Sequence, residues 1–377
     1  MSFRIYKAVD DRLLHEWQKL AEEVGTRFAS RPSYGLSWHR HLGRGPLRLA
    51  TVRRDGRLVA LLPLHSRRRL GVAVYRLLGH GLGTIGESLA RDEAALADLV
   101  SGLARSGAAL ELTHLPSDSP LVAAVRADPG WDATFTGDDY CPVISLPEGT
   151  RASDLRSKST LSRAASSRRK LAREGLELAV ETVSTAAQFD RRWPDIVATA
   201  AAAEEQEEVS RLNLCAPPYS GFTNEFLRRE AETGHLIIWG GTFGGGWGAH
   251  VATLATHGTA ELWFTRFDPR HKRCRPGHHL IEAICENHDE LGVTRVDLLL
   301  GRNGYKSDWQ TGEYEVGTLV AAPSGSRGVR TRMGAADLAA GLVRGGAARA
   351  SDGAGRVRSR MVAVFGGGAG PATAPRS

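Results

Sequence analysis

Apolar positions along this chain follow two rhythms, and the two rhythms occur twice in the same order. Leu280, Ile281, Ile284, Cys285, His288 and Leu291 recur at spacings of three and four, which predicts a helix over 277–291. Short apolar runs at 260–267 (AELWFTRF) and 294–300 (TRVDLLL) predict a strand on either side of it. The same reading of the first half predicts helices over 11–24 and 36–43, strands over 47–53, 57–65 and 72–79, a helix over 92–105 and a strand over 108–114. In the second half it predicts helices over 185–204 and 219–232 and strands over 235–243, 247–256 and 259–266, ahead of the helix and strand already named. The two series are offset by about 187 residues, the signature of tandem copies of one α/β unit. Asp55-Gly56 and Gly244-Gly245-Gly246 fall at matching places as hairpin turns.

The expected organisation is an N-terminal unit over 1–150, a C-terminal unit over 151–326 and an Arg/Gly/Ala-rich tail over 327–377. Charge changes this picture in one respect. The chain carries +7 overall, yet residues 327–377 alone hold nine Arg against Asp337 and Asp352. A global pull on polyanions therefore belongs to the tail, and the body has only local patches. With 42% apolar residues, each unit can build its own core. Cys141, Cys215, Cys274 and Cys285 have no Cys-x-x-Cys spacing, so neither a disulfide framework nor a zinc site is expected. The N-terminus has no apolar signal region, and no run approaches a membrane span, so the expectation is a cytoplasmic protein.

Candidate chemistry concentrates at 270–280. Arg270, Lys272, Arg273 and Arg275 fall within six residues, just before Pro276, Gly277 and His278 open a helix. Pro suits the first helical position, Gly admits a ligand to the backbone, and the helix start favours an anion, so the segment reads as a phosphate cradle rather than a solvated turn. Gly81-Leu82-Gly83-Thr84-Ile85-Gly86 fits a dinucleotide fingerprint on paper. It follows antiparallel-style strands, precedes its helix by too far and carries no Lys or Arg before Arg91, so cofactor binding is expected of the second copy alone. His250, inside a strand, is a candidate base. Glu204-Glu205-Gln206-Glu207-Glu208 reads as a solvated helix end, and the His/Cys/Glu spacings after 278 do not make a metal site. Arg156, Lys158, Arg163, Arg168, Arg169, Lys170 and Arg173 spread around several faces of a basic helix.

The cradle resembles the pyrophosphate-binding segment of the GNAT acyltransferase superfamily, in a degenerate form close to its CelD/BcsL-like branch. Gly301-Arg302-Asn303-Gly304-Tyr305-Lys306 and the basic segment 157–175 resemble further features of that branch. Tandem units are also similar to those of Fem-type aminoacyltransferases. The resemblance implies an α/β (α+β) fold of two tandem GNAT-like units, each a mixed, mostly antiparallel sheet flanked by helices. It implies acetyl-CoA or another acyl-CoA as cosubstrate, without a metal, and transfer to an amine of a small-molecule or saccharide-like acceptor. Trp263, Phe264 and Thr265 would supply the strand edge beside the cofactor. Arg270, Lys272, Arg273, Arg275, Gly277 and His278 would hold its phosphates. Tyr305 would be the acid for the departing thiolate, and Lys306 would hold a phosphate or carboxylate. The alternatives are a Fem-type enzyme taking its donor from charged tRNA, and a non-catalytic binding or scaffold protein that keeps the fold.

Overall fold

The computed structural model describes residues 1–326 except 44, 157, 206–211 and 303–304. The expected tail lies outside the described residues. The first half runs β1 (Ser2–Tyr6), α1 (Asp11–Val24), α2 (Pro32–His41), β2 (Leu47–Arg54), β3 (Arg57–Arg69), β4 (Val72–Leu77), the short β5 (Leu89–Ala90), α3 (Glu93–Arg105), β6 (Ala109–Pro116), α4 (Pro120–Ala127) and β7 (Trp131–Ser145). Helices α5 (Ala152–Leu155) and α6 (Lys158–Arg173) link the halves. The second half repeats the series: β8 (Leu178–Val183), α7 (Ala186–Glu205), α8 (Ser220–Glu232), β9 (Leu236–Phe243), β10 (Gly246–Thr256), β11 (Thr259–Phe267), α9 (Pro276–Glu286), β12 (Arg295–Asp297), α10 (Tyr305–Trp309) and β13 (Gly312–Pro323).

Local chemistry sets the helix starts. The Asp10 carboxylate accepts from the Leu13 amide, Asp92 from Ala95 and the Ser119 hydroxyl from Leu121, while Pro32, Pro120 and Pro276 stand where a missing N–H costs nothing. Pro32 explains why α2 begins earlier than the apolar rhythm predicts. α9 stops at Glu286 rather than 291, because Asn287 takes the C-cap and residues 287–291 continue as turns.

The strands form one sheet in the order β1-β2-β3-β4-β6-β13-β7-β12-β11-β10-β9-β8, with β5 on β3. Its centre is an exchange. β6 of the first half pairs with β13 of the second, β12 of the second pairs with β7 of the first, and β7 and β13 lie antiparallel between them. Each half thus lends its last strand to the other. The compact unit Met1–Arg67 with Ala73–Gly325 contains both copies. The remaining described unit, Arg68–Val72 with Ser326, holds a turn at Leu70 and Gly71, both at positive φ.

Two faces of the sheet are covered separately. On one face a single core runs through both halves, from Leu13, Trp17 and Tyr34 to Phe222, Phe226 and Trp263. Phe28, Tyr34, Phe226 and Trp263 pack there with ring centroids 5.1–6.4 Å apart, contacts worth about 0.5–1.5 kcal/mol per pair beyond area burial. Helix α2 lies against α8 on this face, joined by the buried pair Arg31–Glu230 at 3.1 Å. On the other face each half has its own core, α3 and α4 over the first and α9 over the second.

Candidate functional site

β11 and β12 run parallel for three residue pairs, Thr259–Arg295, Ala260–Val296 and Glu261–Asp297. Beyond these they part. β11 continues beside β10 to Phe267, whereas the chain after Asp297 turns onto β7, the Leu298 amide donating to Pro142 O and the Gly301 amide to Tyr140 O, each at 2.9 Å. Leu299, with φ of 54°, makes that turn.

From the far end of β11 the chain enters the basic loop. Asp268 accepts from the Arg270 amide at 2.9 Å and from its guanidinium at 2.6 Å, so Arg270 is tied to the turn. Residues 269–274 form a tight 3₁₀ turn, and Arg275 stands in the left-handed region (φ 52°, ψ 55°) before Pro276 starts α9. A non-glycine residue there is uncommon and turns the chain sharply into the helix. Lys272, Arg273 and Arg275 are exposed around this start. A Cβ placed on Gly277 would meet nothing within 4 Å, so the helix start faces open space. The amides and dipole there suit an anion.

Helix α10 docks on the same start. Trp309 Nε1 donates to His278 Nδ1 at 3.2 Å, the Arg156 guanidinium lies 4.6 Å from the Trp309 ring centre, and Asp308 is 3.6 Å from His278 Nε2. Lys306, in the same helix, donates to the Leu300 carbonyl, and burial pulls its pKa down. Helix α6 lies against the 269–274 turn, and Arg168 pairs with Glu282 of α9 at 2.8 Å.

Where the strands part, the structure assembles a buried charge network. Arg27, just after α1, reaches Glu261 and Asp297, each at 3.0 Å. The Phe28 amide donates to Glu261 at 2.8 Å, Tyr314 OH to Asp297 at 2.6 Å and the Leu299 amide to Asp297 at 2.9 Å. Both carboxylates are essentially inaccessible. Burial pushes Glu261 up to about 7, against the pull of Arg27 and with the help of Asp297. Burial also raises the Tyr314 hydroxyl, which stays a neutral donor.

His250, opposite Arg266 in the β10–β11 register, is fully enclosed, its ring 5.5 Å from that of Phe264. Among the described residues neither ring nitrogen has a hydrogen-bond partner, and burial lowers its pKa to about 3. Among the same residues no group of three or more His, Cys, Asp or Glu is placed to hold a metal ion, and no helix is long and apolar enough to cross a membrane.

The order strand, basic turn, helix, strand is the one the sequence predicts for 260–300, and the parting of β11 and β12 adds to it. Residues 158–307 match the sequence model of the Acetyltransferase (GNAT) domain. This segment is a GNAT domain. The sequence matches no curated protein. Among solved structures, the chain is similar to FemX at 10% identity, covering 85% of this chain and 97% of that one with a TM-score of 0.61. It is similar to the C-terminal domain (DUF2156) of a putative lysylphosphatidylglycerol synthetase from Agrobacterium fabrum at 14% identity, covering 84% and 93%, TM-score 0.54. A conserved protein of unknown function from Bacteroides thetaiotaomicron aligns at 9% identity over 86% and 100%, TM-score 0.53. Identities this low speak for the fold alone.

Within the GNAT domain the residues singled out from sequence fall in three places. Lys272, Arg273, Arg275, Gly277 and His278 gather at the start of α9, with Arg270 held back by Asp268. Trp263, Phe264 and Thr265 lie on β11 beyond the parting point; the two aromatic side chains belong to the core, so this stretch could meet a ligand through its backbone. Lys306 anchors the loop after β12, and His250 sits apart in the interior. Tyr305 opens α10, and its side chain lies outside those described. So do Lys158, Arg163 and Lys170 of the basic helix, and Glu207 and Glu208. Glu204 accepts from Asn213 Nδ2 at 2.6 Å, while His288 bonds the carbonyls of Val293 and Thr150 in a packing role. Glu261, Asp297 and Arg27 are not among the site residues expected from the sequence. A signal was present, an acid inside each of two apolar runs (AELWF and VDLLL), since a buried carboxylate needs a partner.

Proposed function

We propose that this chain is an N-acyltransferase that moves an acyl group, acetyl first of all, from acyl-coenzyme A to an amine of a small-molecule or saccharide-like acceptor. The observation that carries this reading is the parting of β11 and β12 immediately past Glu261 and Asp297, on the strand that leads into a helix start with open space above Gly277. In it the cosubstrate's pyrophosphate meets the α9 amides with Arg273, Lys272 and Arg275 around it, and the backbone of 263–266 lines the acyl end.

Attack requires a neutral amine. The amine lone pair forms the new C–N bond to the thioester carbonyl, the C–S bond breaks, and the sulfur leaves as thiolate and takes a proton. Glu261 is a better base in this scheme than His250. A carboxylate raised toward neutrality both accepts and releases a proton near pH 7, whereas a histidine lowered to about 3 holds no proton there. Tyr305 remains the proposed acid, and Lys306 positions the loop between β12 and α10. Residues 1–150 contribute Arg27 to this site, which gives the N-terminal unit a part in the proposed chemistry.

The test is a thermal-shift titration with acetyl-CoA, longer acyl-CoAs and free coenzyme A. Ligand at a hundred times its Kd adds about 2.7 kcal/mol. A shift lost in Gly277→Val supports the reading, and a flat wild-type response sinks it. One observation favours a second reading, transfer from charged tRNA: the basic helix α6 lies against the cradle turn. A phosphate-rich donor would then make activity fall steeply with salt, and coenzyme A would leave the melting temperature unchanged.

A further inference from the structure

The N-terminal half lacks the basic loop, but it is not empty of chemistry at its own parting point. Arg76 and Glu111 follow the paired residues Val74–Ala109 and Tyr75–Leu110, in the places Glu261 and Asp297 hold in the second half. Arg76 Nη2 donates to both Glu111 oxygens, at 2.7 and 2.8 Å. Its Nε, with the residue 7% exposed, has no partner among the described residues. Nearby, His65 is 6% exposed, and among the described residues both of its ring nitrogens are unpartnered. The His65 ring lies 4.9 Å from Trp38 of α2 and 6.5 Å from His80, whose Nδ1 is 3.3 Å from Thr113 Oγ1.

β3 and β4 are neighbours, and the Leu78 amide bonded to Pro63 O sets His65 opposite Arg76, so three buried nitrogens without partners among the described residues lie on facing side chains, a costly arrangement if nothing meets them. We propose that they are met by a ligand: the N-terminal half holds a second site, lined by His65, Arg76, His80 and Thr113, that takes the carboxylate of a small organic acid. Arg76 Nε and a His65 N–H are donors, which a carboxylate can accept from with both oxygens. Glu111 already balances the Arg76 charge, so the site suits a monoanion better than a phosphate dianion. Burial lowers both rings first; His80, Arg76, His39 and Arg67 also oppose protonation of His65, and at His80 Arg76, His114 and Arg67 oppose it while Glu111 favours it. An arriving anion reverses that balance and draws a proton toward the pair. The site stands independently of the acyltransferase reading, because no cradle residue enters it.

The experiment uses the full chain with ring-15N histidine, titrated at pH 7 and constant ionic strength with acetate, then separately with inorganic phosphate. The proposal expects saturable shifts at His65 and His80 with acetate, unchanged in Gly277→Val, and affinity weakened about tenfold or more by His65→Phe, which removes the orphaned donor. His65→Phe keeps an aromatic ring beside Trp38; should it fail to fold, His80→Gln supplies the same comparison. Rings that do not move with acetate would mean that water fills the orphaned positions, and the proposal falls. Movement with phosphate alone overturns the carboxylate assignment.

Discussion

The two halves share one element order but differ in charge at one corresponding place, where Arg76 of the first stands against Glu261 of the second. Where β4 and β6 part, Arg76 and Glu111 neutralise each other within the N-terminal half. Where β11 and β12 part, Glu261 and Asp297 stand together as two acids and borrow their cation, Arg27, from the other half. One parting point is closed within its own half, and the other leaves a carboxylate whose proton is held near neutrality. The loops that follow differ in the same direction. The second half has the basic turn and α9, whereas the first has the Gly81–Gly86 segment, whose Gly83 lies against Leu300. The scaffold repeats, while the charges at the two parting points differ.

Removing the cations should distinguish the two halves most clearly. Arg27→Ala leaves two buried acids without a counter-charge and should destabilise by about 3–5 kcal/mol in urea unfolding at pH 7, with Glu261→Gln restoring part of the loss. Arg76→Ala removes one cation from the single, partly exposed Glu111 and should cost about 2 kcal/mol. Equal losses would mean that the asymmetry of charge does not distinguish the halves.

Next in size is ligand stabilisation. The increment of about 2.7 kcal/mol at a hundred times Kd should vanish in Gly277→Val and survive in Gly83→Val, comparing each variant with and without acetyl-CoA. Loss in both would make the N-terminal loop part of the cofactor site.

Acid should act through buried histidines in both halves. His250 is lowered to about 3, and His65 and His80 to about 4, in each case first by burial. Their folded values lie below the unfolded 6.5, so the unfolded chain takes up protons first and stability is lost as pH falls through 6.5 toward 4. At pH 5 each such histidine costs about 2 kcal/mol relative to pH 7 or above. Glu261 has the opposite sign: its raised value makes stability fall as pH rises from about 4.5 to 7. Melting temperatures between pH 7 and 5 should therefore drop in wild type and drop less in His250→Phe; identical slopes would remove His250 from this account. The smallest effect belongs to Arg168→Ala, whose half-exposed pair with Glu282 should contribute less than about 0.5 kcal/mol by the same unfolding measurement.

Much of this molecule is written locally. The apolar rhythm of α9, the hairpin at Gly244-Gly245, the caps at Asp10 and Asp92 and the Pro-Gly pair at 276–277 depend on residues within a few positions of one another, so sequence alone determined the repeated order of elements and the place of the basic turn before α9. β7 and β13 were not legible. β7 mixes exposed and buried positions and carries Gly137-Asp138-Asp139, which reads as a turn until β13 lies beside it. The last part of 294–300 reads as strand yet leaves the sheet, because Leu299 turns the chain onto β7. Nor could any local pattern place Arg27 against Glu261, 234 positions away, or join Tyr314 to Asp297. Those contacts follow from the strand exchange at the centre of the sheet and from the packing of α1, α2, α7 and α8 over its shared face. Short-range sterics and hydrogen bonding fix helices, turns and caps, while the ionisation of a buried carboxylate depends on which distant charges the folded chain brings to it.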